Sequence, residues 1–198
     1  MNKKGQIYII AIILIIAIAV FLFFRITKPS DEASRADVSG KVIKEISDRI
    51  GFDGVRDPID VENSHISFKG FGPGKSHVGN FKSWGGDLFL EKGKIVGFDG
   101  IIKADSIDAK INQLTNHLKS KDFLNAEKYS KIKFVSKKLS NDQLTGDLTF
   151  LGITREIIFP VTITEESISA DFVLDTSQFG KMSDKANKEV RIFFKLVK

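Results

Sequence analysis

From Val61 to the C-terminus, apolar residues recur at every second position. Ile66 and Phe68 open the pattern, Ile132 and Phe134 continue it, and Leu144, Leu148 and Phe150 follow with Gly146 among them. Ile157, Phe159, Val161 and Ile163 come next, then Ile168, Ala170, Phe172 and Leu174, and finally Val190, Ile192, Phe194 and Leu196. The positions between carry Lys133, Lys137, Asp147, Glu156, Asp171, Arg191 and Lys195. Successive side chains of a strand point to opposite faces, so the alternation predicts strands with one apolar and one wetted face. Such strands belong to antiparallel sheets. Segments near 77–91 and 94–104 bring the number to about eight, with short turns such as Ser140-Asn141-Asp142 between some of them. Eight antiparallel strands can close into an up-and-down barrel, which leaves no edge exposed. The expected fold class is therefore all-β, an eight-stranded antiparallel barrel over residues 60–198.

Two stretches break the period. Ile111, Leu114 and Leu118 stand at helical spacing and predict a short crossing helix between strands that end near Lys103 and begin near Lys131. In a barrel it would cover one end. Val42, Ile43, Ile46 and Ile50 form one stripe of a second short amphipathic helix, with Ser39 as N-cap and Gly51 as stop, inside a polar tether over 29–59. Gly70-Phe71-Gly72-Pro73-Gly74 reads as a wide turn between the first two strands.

Ahead of the tether, Ile7 to Phe24 contains no charge, Gly or Pro. At 1.5 Å per residue it spans about 27 Å, close to the hydrocarbon thickness of a bilayer. It ends Phe21-Leu22-Phe23-Phe24-Arg25, without the small residues of a cleavage site, which predicts an uncleaved transmembrane signal anchor over 1–28. Lys3 and Lys4 on one side balance Arg25 and Lys28 on the other, so charge does not orient it. Lys3-Lys4-Gly5-Gln6 also resembles the prepilin-type signals of archaeal surface filaments, where cleavage follows the Gly and the apolar helix is kept. Either way the barrel is expected on the extracytoplasmic side, anchored to the membrane through residues 7–24.

Most of the net positive charge belongs to the anchor. The net charge is +5, from 30 basic and 25 acidic residues. Residues 1–28 hold four basic and no acidic ones, leaving 26 against 25 from Pro29 onward. A nearly neutral domain gives no electrostatic case for nucleic acid. The absence of cysteine excludes disulfides, thiolate metal sites and thiol nucleophiles. His65, His77 and His117 show no metal-ligand spacing, and the chain has no G-x-S-x-G, P-loop or G-x-G-x-x-G pattern. The 17 Phe residues are the compositional oddity. Three lie in the anchor and most others on or beside the alternating strands. A small barrel can fill its own interior, so Phe content alone leaves a ligand pore and a filled core both open.

Several blocks of sequence resemble one known family. Asp105-Ser106-Ile107-Asp108, His117-Leu118-Lys119-Ser120 with Asp122-Phe123, Glu127-Lys128-Tyr129, and Ile132-Lys133-Phe134 with Ser136 look like the central signature of the YceI-like, polyisoprenoid-binding family. Gly146-Asp147-Leu148-Thr149-Phe150 with Gly152, Thr154 and Arg155, then Phe159-Pro160-Val161, is similar to its following strand pair. Asp60, Ser64, Ile66 and Phe68 fit its first strand, and Gly79, Phe81 and Gly86 its second. Two positions depart from the pattern. Asp175-Thr176-Ser177-Gln178 precede Phe179-Gly180 where the family often has an Arg, and Ser130 replaces a Pro after the Tyr.

The resemblance implies an extended lipocalin-like barrel with an apolar pore, exported to the cell envelope, binding a polyisoprenoid, quinone or similar long-chain lipid and not acting as an enzyme. The pore lining would then be Phe68, Phe134, Leu148, Phe150, Ile157, Phe159, Phe172, Ile192 and Phe194. His117 and Lys119 would lie at the mouth. No catalytic residue, metal or further cofactor is expected; the partners are the lipid and the membrane, and the oligomeric state stays open, with a dimer among the options. The alternative is a non-catalytic surface interaction module with a filled barrel, pilin-like in export.

Overall fold

The alternating segments form strands that pair as their period requires. The computed structural model describes residues 33–38, 40, 42–43, 54–72, 74–180 and 188–198. In chain order the strands are β1 (Ser34–Arg35), β2 (Val42–Ile43), β3 (Val55–Pro58), β4 (His65–Gly72), β5 (Lys75–Phe81), β6 (Trp84–Glu91), β7 (Lys94–Lys103) and β8 (Ile107–Asp108). After helix α1 (Asn112–Lys119) come β9 (Lys131–Ser140), β10 (Gln143–Phe150), β11 (Ile153–Pro160), β12 (Thr162–Ile163), β13 (Ser167–Asp175) and β14 (Glu189–Val197). One-turn 3-10 helices occupy Ala104–Ser106 and Thr176–Phe179.

These strands build two seven-stranded sheets rather than one closed ring of eight. The first runs β1-β13-β14-β4-β5-β8, with β12 also on β13; the second runs β2-β11-β10-β9-β7-β6-β3. Pairing is antiparallel except for β1 on β13. Short segments tie the sheets together. Ala36 N–H donates to Val173 O at 2.9 Å, and one residue on Asp37 exchanges backbone bonds of 2.8 and 2.9 Å with Ile158 of β11. At the other end of the second sheet, Ile59 N–H donates to Gly86 O at 3.0 Å and Asp60 N–H to Val197 O at 2.9 Å. Pieces of one to four residues satisfy edge strands that would otherwise expose donors and acceptors. They are too short to show a period, which is why the alternation alone missed them.

The expected tether is corrected for the same reason. Val42–Ile43 is not helical but pairs with Arg155 and Thr154 on the free edge of β11, a role suited to β-branched residues. The remainder of that expected helix, and the anchor over 1–28, lie outside the described residues. Among the described residues no helix is long and apolar enough to cross a membrane. The expected wide glycine turn is also tighter than read: β4 runs to Gly72, and Gly72 pairs with Lys75.

Turn chemistry sets three other hairpins. Lys92-Gly93, Asn141-Asp142 and Leu151-Gly152 each hold positive φ at both residues, the type I′ geometry that matches strand twist. The inward faces then pack together. Leu88, Leu144 and Ile168 are fully buried, and with Ile95, Val161 and Leu196 they belong to the hydrophobic core between the sheets.

Pairing of β7 with β9 stops at Asp99 and Val135, where the strands separate. Ser136 fills the gap: its Oγ accepts from Phe98 N–H at 2.9 Å and donates to Phe98 O at 2.7 Å. The side chain is fully buried. Ser136→Ala is expected to cost about 1–3 kcal/mol, because both Phe98 backbone groups lose their partner without gaining water. Urea unfolding measures it, and a change below about 0.5 kcal/mol would show that another group takes over.

Candidate ligand cavity

Between the two sheets lies a cavity of about 540 Å³, with a lining almost wholly apolar. The structure brings all nine expected lining residues to it. Phe68, Phe172, Ile192 and Phe194 come from the first sheet; Phe134, Leu148, Phe150, Ile157 and Phe159 come from the second. Rings of the two sheets meet directly: Phe159 stacks on Phe172 with centroids 4.4 Å apart and meets Phe134 at 5.5 Å and Phe194 at 6.1 Å. Phe98, which the alternation did not single out, completes this cluster at 4.9 Å from Phe134 and 5.2 Å from Phe194.

An interior so rich in Phe stays open because two glycines take rings onto the wall. A Cβ on Gly79 would fall 2.4 Å from the Phe68 ring, and one on Gly146 would fall 2.4 Å from the Phe134 ring. Phe68 lies directly opposite Gly79, and Phe134 lies diagonal to Gly146. Each ring lies over the neighbouring strand's bare backbone instead of crossing the interior.

α1 lies along the opening. Leu114, His117 and Leu118 contribute to the lining, as residues three and four apart share a helix face. The following turn adds Phe123 and Leu124; its path is held by Leu124 N–H on Leu118 O at 3.0 Å and Ala126 N–H on Lys119 O at 3.0 Å. None of the helix residues is buried. The His117 ring meets Phe123 edge-on at 4.7 Å. Lys119, expected beside it at the mouth, is not among the lining residues, being one residue and about 100° further round the helix than Leu118.

Sequence reasoning missed several contributors. His77 lines the cavity two and four residues before Gly79 and Phe81, so extending the period backwards along β5 would have found it. Thr176, Trp84, Ile102 and Ile107 also contribute. Thr176 sits in the 3-10 turn Thr176–Phe179. There Thr176 Oγ1 donates to Lys188 O at 2.6 Å, while Asp175 accepts from Ser177 N–H at 2.9 Å and Ser177 Oγ at 2.6 Å.

The same carboxylate reports on acid stability. Partial burial opposes ionisation of Asp175, but hydrogen bonds from Ser177 and Gln178 and the charge of Lys188 outweigh it and hold its pKa below the ordinary value. Asp60 is lowered by Asn63, and Asp108 by its pairing with Lys82 and the Lys110 N–H. A group with a depressed folded pKa contributes stability above its unfolded value, near 3.9 for Asp, and loses it as pH falls below that. Urea midpoints are therefore expected to hold above about pH 5 and to drop below about pH 4. A midpoint unchanged down to pH 3 would remove these carboxylates from the stability balance.

No group of three or more His, Asp or Glu side chains among the described residues is arranged to hold a metal ion. Against known proteins, the YceI-like domain model matches residues 58–197. A UPF0312 protein of Staphylococcus aureus (strain USA300) is 46% identical over 56 residues, 28% of this chain and 33% of that protein. A UPF0312 protein of Vibrio parahaemolyticus is 33% identical over 122 residues, 57% of this chain and 62% of that protein. The matches thus span a third to under two thirds of those relatives. Among solved structures, Burkholderia cenocepacia BcnA superposes with a TM-score of 0.63 at 22% identity, covering 71% of this chain and 99% of that one. A polyisoprenoid binding domain from Saccharophagus degradans, implicated in plant cell wall breakdown, gives 0.55 at 12% identity, covering 70% and 95%. At these identities the likeness is one of fold.

Proposed function

Because the chain belongs to the YceI-like domain family, we propose that it is a binding protein for a long-chain apolar lipid, a polyisoprenoid or quinone, held between its two sheets. The observation that carries this reading is the open interior: about 540 Å³ with almost no polar lining, in the size range of ligand pockets. A filled interaction module would have no such space, so the cavity favours the carrier. The Saccharophagus domain of the same fold, described as polyisoprenoid binding, points to the same ligand class. The role is binding and not catalysis.

Burial of each CH2 is worth roughly 0.8 kcal/mol relative to water, but a bilayer offers the lipid the same gain. Selection therefore rests on fit to the Phe-lined walls and on contacts to the head group, for which the polar lining residues, His77 and His117 among them, are the candidates. Residues 7–24 anchor the chain, with the domain on the extracytoplasmic side. Since pairing among the described residues begins at Ser34, the nine steps from Phe24 to Ala33 reach at most about 30 Å, which holds the domain much nearer the bilayer than a free tether to residue 59 would.

The test is lipid extraction and native mass spectrometry of the full-length protein. A stoichiometric long-chain apolar lipid is expected. Folded protein that carries none, and takes none from lipid vesicles, would sink the reading.

A further inference from the structure

The cavity meets solvent where its lining is exposed, at Lys75, Ile101 and His117. These residues belong to two segments, 64–86 and 101–133, whose charge differs from that of the rest of the domain. Residues 64–86 carry Lys69, Lys75 and Lys82 and no Asp or Glu. Residues 101–133 carry seven Lys against four acidic residues. Since 29–198 as a whole has 26 basic and 25 acidic residues, the remainder holds 16 basic and 21 acidic ones. A net charge of +1 is thus divided into +6 in the segments that border the opening and −5 elsewhere.

Strand register sharpens the pattern. Across β7 and β9, Lys103 stands directly opposite Lys131 and Ile101 directly opposite Lys133. Opposed residues share a face. It is the outer one, because Phe134 beside Lys133 points inward and alternate residues point apart. Like charges placed opposite each other cost stability. Among the described residues, Lys75, Lys103, Lys131 and Lys133 have no ion-pair partner. Further along the same outer face the charges are matched: Arg56 holds Asp87 and Asp99, and Lys137 holds Asp147 and Glu156. Apolar side chains stand among the unmatched lysines. Ile101 is 44% exposed, Ile111 50% and Val78 58%, and Ile111 leads into α1, no residue of which is buried. An acidic soluble partner would use the lysines and leave the isoleucines in water. The boundary between anionic head groups and acyl chains uses both.

We propose that this end of the domain docks on an anionic bilayer surface, with its lysines against lipid phosphates and Ile101 and Ile111 among the outermost acyl carbons. Resting on the lipid-binding reading, the docked opening lets an apolar chain pass between bilayer and cavity without crossing water. Ser34 pairs with Phe172 of the cavity lining, so a tether of at most about 30 Å lets this end reach the bilayer.

The chain has no cysteine, so Ile111→Cys gives one site for an environment-sensitive nitrobenzoxadiazole label. The full-length labelled protein is placed in nanodiscs of phosphatidylcholine alone, or of an equimolar mixture with phosphatidylglycerol. In the anionic discs only, the label is expected to shift to the blue and brighten at least about twofold. Salt at about 1 M, where the Debye length is about 3 Å, should reverse the change. A label at Glu165→Cys is the control and should stay silent. Val161 N–H near it donates to Asp142 O at 2.8 Å, past the far end of β9, whose 10 residues span about 33 Å. Lys103→Glu with Lys131→Glu should abolish the response, and it exchanges one like-charge pair for another. If that variant does not fold, Lys119→Glu with Lys121→Glu repeats the test from the helix. An equal response in both discs, one that survives salt or charge reversal, or the same response at Glu165, would overturn docking by charge at this end. Silence at Ile111 in anionic discs would overturn it too and leave the basic end to an acidic soluble partner. Native mass spectrometry of the same samples separates the two readings. Lipid retained without docking removes the docking alone; docking by folded protein that carries no lipid removes the lipid reading alone.

Discussion

Phe159→Ala is expected to lower stability by about 3–5 kcal/mol, the range for removing a buried ring from a core. Phe159 is 2% exposed and touches Phe134, Phe172 and Phe194. Its strand, β11, belongs to one sheet while Phe172 and Phe194 belong to the other, so the ring joins the sheets, alongside Phe98 on Phe194. Removing it enlarges a space that is already open, and the neighbouring rings have no equivalent contact to fall back on. Urea unfolding measures the loss, and Phe159→Leu should recover most of it because the volume is nearly kept. A loss below about 1 kcal/mol would mean that the walls repack freely.

Gly86→Val is expected to be at least as damaging, at more than about 3 kcal/mol. Gly86 pairs with Gly100 across β6 and β7, and a Cβ there would fall 2.0 Å from Asp99 O and 2.8 Å from Gly100 Cα. Both obstacles are backbone, so no rotamer change relieves them; the strands would have to part or change register. Gly100→Val in the same strand pair is the control, since its Cβ finds open space. The two valines should differ sharply in urea midpoint and in recovery of folded protein. Equal stability of both would show that the β6–β7 pair approaches less closely than the geometry requires.

These contrasts mark the division between what is written along the chain and what arises in three dimensions. Period two placed Phe68, Phe134, Leu148, Phe150, Ile157, Phe159, Phe172, Ile192 and Phe194 on inward faces. All nine line the cavity, because side-chain direction in a strand depends only on the parity of position. Helical spacing located α1, since Leu114 and Leu118 share a face, although Ile111, the third residue of that stripe, is the extended N-cap residue ahead of the helix. The Asn141-Asp142 turn was legible for a similarly local reason: Asn and Asp tolerate positive φ. Each of these features is decided by a residue and its near neighbours.

What the chain alone left open depends on pairs far apart in sequence. Two sheets stand in place of a ring because edges of β11, β13 and β6 are satisfied by pieces too short to carry a period. Lys119, expected at the mouth, is not among the lining residues, while Leu114 and Leu118 of the same helix are. Above all, identical Phe positions could have filled the interior or lined a pore, and no periodicity distinguishes the two. That outcome was decided by partners such as Phe68 with Gly79, Phe134 with Gly146, and Gly100 with Phe134, where a missing Cβ on one strand determines where a ring or an open space lies on the next. Face follows from parity along one strand; volume follows from which residues of different strands meet, and only the tertiary structure brings them together.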